Sequence, residues 1–420
     1  MQKIEDLPKG FAAHIVDRMG TNGQPPERGA RFVNVGTDAI LELLRDEYLR
    51  PIKASGRNSA FKLVQATFGG GKTHFLHCMR ELAWSEGFAT SLVGLSPKEC
   101  PFDQPTKIYQ AVAARLEYPV AELEQEPHAG VRSVLRQIAQ RRIEENGKDA
   151  FASWLREEFQ ERPIESATVH RAVRLFLQAI VDGNLDAQEI LGDVLLGEGV
   201  PADETAPYRL REALTDDVAF RWLRSLAQCL TALGMPGTVL MFDEMDRNMS
   251  LGVRRRREIG DNLRQMIDYC GQSHLPGVLW LYAVPPEFFT TIVPEYPALA
   301  QRLKRAAQFS ALSPLEPIID LEHLALAPEE LLFQIGGKLL ELEQHVHGNA
   351  LEGELQRANL RKLAKSFAAK ALESGVRREF VKAAVGLLER QRRGGESAVK
   401  ESELQGGVSI EPMLSGETEF

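Results

Sequence analysis

Gly69, Gly70, Gly71, Lys72 and Thr73 stand together in Phe61–Leu76, FKLVQATFGGGKTHFL, and their types and spacing suit phosphate chemistry. Glycines let backbone N–H groups converge on phosphate oxygens, and a helix starting directly after them adds partial positive charge. In such a loop Lys72 reaches the β- and γ-phosphates and Thr73 offers a hydroxyl to Mg2+. The pattern GxxxxGK[ST] puts its first glycine where this chain has Ala66, the smallest side chain that can replace it. The expected nucleotide contacts run through Ala66, Thr67, Phe68, Gly69, Gly70, Gly71, Lys72, Thr73 and His74, with ATP and Mg2+ as the expected ligands. A second pair of groups ends the run TVLMFDEMD, Thr238–Asp246. Asp243 is the expected Mg2+ anchor, through water, and Glu244 the carboxylate that polarises the attacking water. An apolar run followed by Asp-Glu says little by itself. Beside a glycine loop it supplies the metal anchor and the base that ATP hydrolysis needs.

Strands and helices have to bring these groups together. Phe61, Leu63 and Val64 read as a buried strand entering the glycine loop, and the residues from His74 to Ser85 as the helix leaving it. Phe88–Leu95 reads as a second buried strand, Val239–Phe242 as a central parallel strand and Val278–Val284 as another. Carboxylates at the C-terminal edge of such a strand lie where ligands bind in open α/β sheets. Asp243 follows Lys72 at a greater distance than a compact core needs, and the intervening sequence repeats helical patterns. Residues 103–234 are therefore expected to be a helical insertion whose acidic stretches, Glu122–Glu126 and Glu157–Glu165, are solvated faces. Ahead of the core, residues 1–58 form an N-terminal arm with helices around Phe11–Met19 and within Phe32–Leu49. The core itself spans 59–310. Past Leu312 strand signals fade, so 311–391 is expected to be an all-helical lid and 392–420, rich in Gly, Ser and Glu, a flexible tail.

Several arginines compete for roles at a phosphate. Arg254–Arg257 form either a solvated helix start paired with Glu258 and Asp261, or a contact to nucleic-acid phosphate or a neighbouring subunit's nucleotide. Arg302 and Arg305 are candidate fingers acting in trans, or a plain basic helix face. In SGVRREFVK, Arg378 is the first choice and Arg377 the second for a sensor reaching the nucleotide. The strand Val278–Val284 ends in Ala283, Val284 and Pro285 with no polar sensor side chain, leaving Tyr282 as the alternative.

Composition sets limits. The chain has 420 residues, long enough for about two to three domains. A hydrophobic share of 44% and a charged share of 26% are ordinary for a soluble globular protein. A net charge of −9 argues against a global polyanion binder, so any DNA contact must come from a local patch. Cys78, Cys100, Cys229 and Cys270 are widely separated, which excludes a zinc ribbon and fits a reducing cytoplasm. The N-terminus lacks a signal-peptide apolar core, and no apolar run is long enough to span a membrane.

Five segments together resemble one family: ATFGGGKTHFL, SPKECPFDQPTKIYQAV, VLMFDEMDR, LYAVPPEFF with YPALAQRL, and RREFVKAAV. The chain resembles the BrxD-like P-loop ATP-binding proteins of bacteriophage exclusion (BREX) and related anti-phage systems, which are similar in architecture to AAA+ ATPases of the replication-initiator and STAND groups. The resemblance runs from about Arg31 to Arg390. It implies an α/β fold: a P-loop NTPase (AAA+-like) parallel-sheet core with a large helical insertion and an all-α C-terminal lid. It places phosphate and Mg2+ contacts on Lys72 and Thr73, and metal and water contacts on Asp243 and Glu244. It also matches Arg378 to the family's arginine, with Val376-Arg377 where Thr-Pro is usual. It implies an ATPase that powers or gates a defence complex, with other defence-system proteins as partners. A DNA-binding loader and a nucleotide-gated scaffold with little turnover are the alternatives, and a homo-oligomer and direct contact with double-stranded DNA stay open.

Overall fold

The computed structural model describes residues 3–55, 58–123, 125–272, 276–348, 350–370 and 374–400. They form two compact units, each built around its own apolar core. One contains Thr37–Thr67 and Gly71–His323; the other contains Met1–Gly36, Phe68–Gly70 and Leu324–Phe420.

The larger unit is organised on a six-stranded sheet. Its strands are β1 (Ala60–Gln65), β2 (Ala89–Gly94), β3 (Leu116–Glu117), β4 (Thr238–Asp243), β5 (Val278–Val284) and β6 (Ile318–Asp320). Their spatial order is β3-β2-β4-β5-β1-β6, parallel throughout except for β3. This is a mixed α/β architecture consistent with a P-loop NTPase core. Every residue of β4 and β5 is buried, as expected of central parallel strands covered on both faces. Phe242 stacks on Trp280 with ring centroids 4.6 Å apart, and Phe102 meets both rings edge-on. Asn262 Nδ2 donates to the Phe102 carbonyl at 2.8 Å, and Arg255 grips the Asp103 carboxylate with two hydrogen bonds. The proline-rich loop after β2 is thereby fixed to the helix Val253–Gly271.

Between β2 and β4 the chain is almost wholly helical. Its helices are Pro105–Ala114, Val131–Asn146, Lys148–Glu157, Ala167–Asp182, Leu185–Leu196 and Asp216–Ala232, with a short Ala202–Thr205 turn. They pack through Val134, Leu135, Phe176 and Trp222, and Tyr109 sets its ring edge-on to Trp222 while donating to the Leu195 carbonyl. Within the mostly helical stretch expected over 103–234, Leu116–Glu117 joins the sheet as β3, antiparallel to β2. The acidic stretches are largely exposed, yet Glu165 is not a free face, since it accepts from Arg224 Nε at 2.7 Å.

Strand β6 is a second departure. Three residues, Ile318–Asp320, pair with Leu63–Gln65 of β1, so the sheet continues past the point where strand signals fade. A strand this short carries too little alternation to stand out in sequence. The core unit accordingly extends to His323, beyond the expected boundary at 310.

The smaller unit packs the helices Lys9–Asn22, Pro328–His347, Gly353–Ala368 and Val376–Gly394 around Phe380, Leu360 and Leu339. The N-terminal helix thus belongs with the C-terminal ones rather than to a separate arm. The first residues of the expected flexible tail, from Arg392, are ordered. The last helix runs to Gly394, and Val399, itself buried, donates its N–H to Asn359 Oδ1 while Lys362 Nζ donates to its carbonyl. Residues 401–420 of that tail, and Gly56–Arg57 of the expected turn before β1, lie outside the described residues.

Candidate nucleotide site

The site forms at the C-terminal edge of the sheet because β1 and β4 both end there, with β5 between them. Lys72 and Thr73 open the helix Lys72–Ser85, for which Gly71, at φ 97°, is the N-cap. Gly69 also has positive φ, at 73°. A side chain there would meet the Gly375 Cα at 2.7 Å, so both conformation and space require glycine. Ala66, fully buried, donates its N–H to the Val284 carbonyl at 3.2 Å, which ties the loop's first residue to β5. Thr67 is held by a carboxylate: its N–H and its hydroxyl both donate to Glu322 Oε1, at 2.7 and 2.8 Å. Phe68 projects outward with 59% of its surface exposed.

Lys72 Nζ donates to the carbonyls of Ala66 and Thr67, at 2.8 and 3.0 Å, and lies 3.7 Å from Asp246 Oδ2. Thr73 Oγ1 donates to Asp243 Oδ2 at 2.6 Å, so the hydroxyl and carboxylate expected to share a metal are already adjacent. The Asp243 Oδ1 accepts the Glu244 N–H at 2.8 Å. Glu244 has φ 62°, rare for a side-chain-bearing residue. That left-handed turn ends β4 and starts the short helix Met245–Asn248. It directs Glu244 toward β2, where a Cβ on Gly94 would lie 3.2 Å from Glu244 Oε2, and toward Arg247, whose Nη2 is 2.9 Å from Glu244 Oε1. Burial raises the Glu244 and Asp246 carboxyls above the usual range, against the pull of Arg247 on the first and Lys72 on the second. His74, whose imidazole burial pushes down to about 4, places Nε2 3.5 Å from Cys78 Sγ.

The donor set fits a magnesium nucleotide. Hard oxygens on Thr73 and Asp243 suit Mg2+. Among the described residues no cluster of three or more His, Cys, Asp or Glu side chains could hold a metal ion.

The arginines sort differently from the sequence reading. In the smaller unit, Arg377 donates to the Gly70 carbonyl and the Gly375 N–H to the Phe68 carbonyl at 2.8 Å. Arg378, the sequence's first choice, instead donates Nε to the Asn22 carbonyl at 2.8 Å. Two neighbouring helical residues point about 100° apart, so only one can face the glycine loop, and it is Arg377. Arg302 is paired with Asp268 at 2.6 and 3.0 Å, and Arg305 reaches Gln65 and Asp320. Of the Arg254–Arg257 cluster, Arg255 and Arg256 bind Asp103 and Glu295, while Arg254 is 93% exposed beside Glu258. Tyr282 is fully buried with its hydroxyl on Met245 Sδ, so it turns into the core rather than standing in as the polar sensor.

The sequence profile described as BREX system ATP-binding protein BrxC/D matches residues 8–403. The chain belongs to that family. No curated protein and no solved structure matches it. Membership of the BREX ATP-binding family makes ATP the ligand and other proteins of a BREX system the setting, in agreement with the BrxD-like resemblance of the sequence. Among the described residues no helix is long and apolar enough to cross a membrane. For a BREX ATP-binding protein, two residues beside the loop, Asp246 and Glu322, are not singled out by the sequence reading. Asp246 was visible inside the run DEMD, whereas Glu322 has no motif and follows a strand too short to recognise. Arg377 was ranked below its neighbour because sequence alone does not fix helix phase.

Proposed function

We propose that this BREX ATP-binding protein hydrolyses ATP through an AAA+-like core and uses the cycle to power or gate a multi-protein anti-phage complex. The observation that carries the reading is the pre-formed Thr73–Asp243 pair with Glu244 directly after it on the sheet edge. The placement of β5 between the strand entering the glycine loop and the strand bearing the carboxylates supports an AAA+-like assignment. In the mechanism, Lys72 exchanges its loop carbonyls for the β- and γ-phosphates, and the N–H groups of the glycine loop hold the remaining oxygens. Thr73 and Asp243 would hold Mg2+, which would supply charge neutralisation for the transferring phosphate. Glu244 leaves Arg247 and orients the attacking water. The C-terminal helical unit acts as a lid, and Arg377 rather than Arg378 is its sensor toward the glycine loop. Other BREX proteins are the partners, with DNA engaged directly or through them, and homo-oligomerisation brings a neighbour's arginine to the phosphates.

The test is steady-state ATPase of wild type and Glu244→Gln, alone and with the other proteins of its system and double-stranded DNA. Expected is turnover that falls about 100-fold or more in the variant while ATP binding persists. Equal turnover in both proteins, or none under any condition from a wild type that binds ATP, overturns the hydrolytic reading.

A further inference from the structure

A cavity of about 520 Å³ opens in the smaller unit among the helices Lys9–Asn22, Pro328–His347 and Val376–Gly394. Its lining is unusually charged for an interior: Asp17, Glu343, His347, Glu389, Arg392 and Arg393 all contribute. Glu343 is the decisive residue. It is 3% exposed, yet its Oε2 completes no hydrogen bond. His347 Nε2 lies 3.4 Å away and Arg392 Nε 3.8 Å away, and Arg392 Nε is likewise buried without a hydrogen bond. A buried carboxylate oxygen left so costs far more than one that is satisfied. Arg393 cannot supply the missing donor, because it is committed to Glu389 at 2.7 Å.

The electrostatics agree with an under-compensated acid. Burial raises the Glu343 carboxyl, Glu389 and Asp17 raise it further, and only Arg392 opposes them. His347 is no substitute cation, since burial together with Arg392 and Arg393 lowers its imidazole, against Asp17 and Glu389. Every charged group facing Glu343 from the three helices is thus accounted for, and the cavity still lacks a donor at its floor.

We propose that this cavity is a binding site for a small organic cation, a protonated amine or guanidine, whose N–H groups engage Glu343. The volume suits a metabolite-sized ligand. Asp17 on the first helix and Glu389 on the last complete an acidic wall that accepts a second cationic end. Arg392, whose Nε lies 3.8 Å from the same oxygen, turns toward solvent when the site fills. The site needs no nucleotide, so its test is independent of the ATPase reading.

The experiment is isothermal titration calorimetry of the full chain without nucleotide, using agmatine, spermidine and cadaverine as probes and sulfate as the anion control. Expected is saturable binding of at least one cation, weakened about tenfold or more by Glu343→Gln and several-fold by Asp17→Asn, with sulfate silent. Thermal unfolding of each variant confirms that it is folded; if Glu343→Gln is not, Asp17→Asn on the neighbouring helix decides. Three outcomes overturn the site: no cation binds, cation binding is undiminished in the folded variants, or sulfate binds instead. In the first case the cavity is a water-filled gap.

Discussion

At the scale of single residues, Lys72 is shared between two loop carbonyls and Asp246, and a nucleotide has to win it from all three. Asp246 sets a carboxylate 3.7 Å from the Lys72 ammonium, where the proposed nucleotide would place its phosphates. Removing that charge lowers the repulsion, so Asp246→Asn is expected to tighten ATP binding about three- to tenfold, read by fluorescent-nucleotide titration. Weaker binding in the variant would instead assign Asp246 to orienting Lys72. The two adjacent arginines give a sharper contrast. Arg377→Ala, which removes the donor on Gly70, is expected to lower ATP turnover about tenfold. Arg378→Ala loosens only the end of the helix Lys9–Asn22 and leaves turnover within about twofold. The reverse order of effects would restore Arg378 as the sensor. The pattern of residue types at these positions is what suggests a phosphate-binding loop in the sequence. Which arginine faces the loop is not legible there, because that depends on helix phase and on where the helix begins.

At the scale of elements, β1 carries an odd passenger. Lys62 is 2% exposed, its Nζ donating to the carbonyls of Pro314 and Glu316 at 2.9 and 2.6 Å and lying 4.7 and 5.0 Å from the ring centres of Tyr48 and Phe309. Burial pushes its ammonium down to about 7, with Glu316 opposing. The folded state therefore binds this proton more weakly than the unfolded chain, and between about pH 7 and 10 folding stability gains from Lys62 as pH rises. Relative to Lys62→Met, the wild type is expected to gain up to about 1.4 kcal/mol per pH unit across that window, measured as urea midpoints. A difference that stays flat from pH 7 to 10 refutes the assignment. Gly237, just before β4, tests the packing of the sheet. A Cβ there would sit 2.4 Å from the Gly277 carbonyl and 2.8 Å from the Phe88 ring, so Gly237→Ala is expected to cost about 3 kcal/mol in denaturant unfolding. The long buried strands β4 and β5 could be read directly from apolar runs. Leu116–Glu117 and Ile318–Asp320 could not, because two- and three-residue strands owe their existence to the neighbour they pair with.

At the scale of the whole molecule, sequence order and spatial order disagree in an instructive way. The spacing of the two motifs predicts helices between them, but nothing in the sequence predicts the grouping of the N-terminal helix with the C-terminal helices, since no local pattern reports a contact between chain ends. The sheet has the same property. Strand β1 pairs only with β5 and β6, both of which come later in the chain. On a ribosome moving at about 5–20 residues per second, β1 waits for roughly two hundred residues, about 10–40 seconds, before its first partner exists. Throughout that interval a buried-type strand has both edges bare. The helices between β2 and β4 share one apolar cluster with the sheet, so before β5 exists that cluster is incomplete and the nascent sheet is the aggregation-prone species. A chain ending at residue 277 should therefore be insoluble or chaperone-bound, whereas one ending at residue 323 should release. The order in which the core is made, and not only its final shape, thus sets how long the strand leading into the glycine loop stays unpaired.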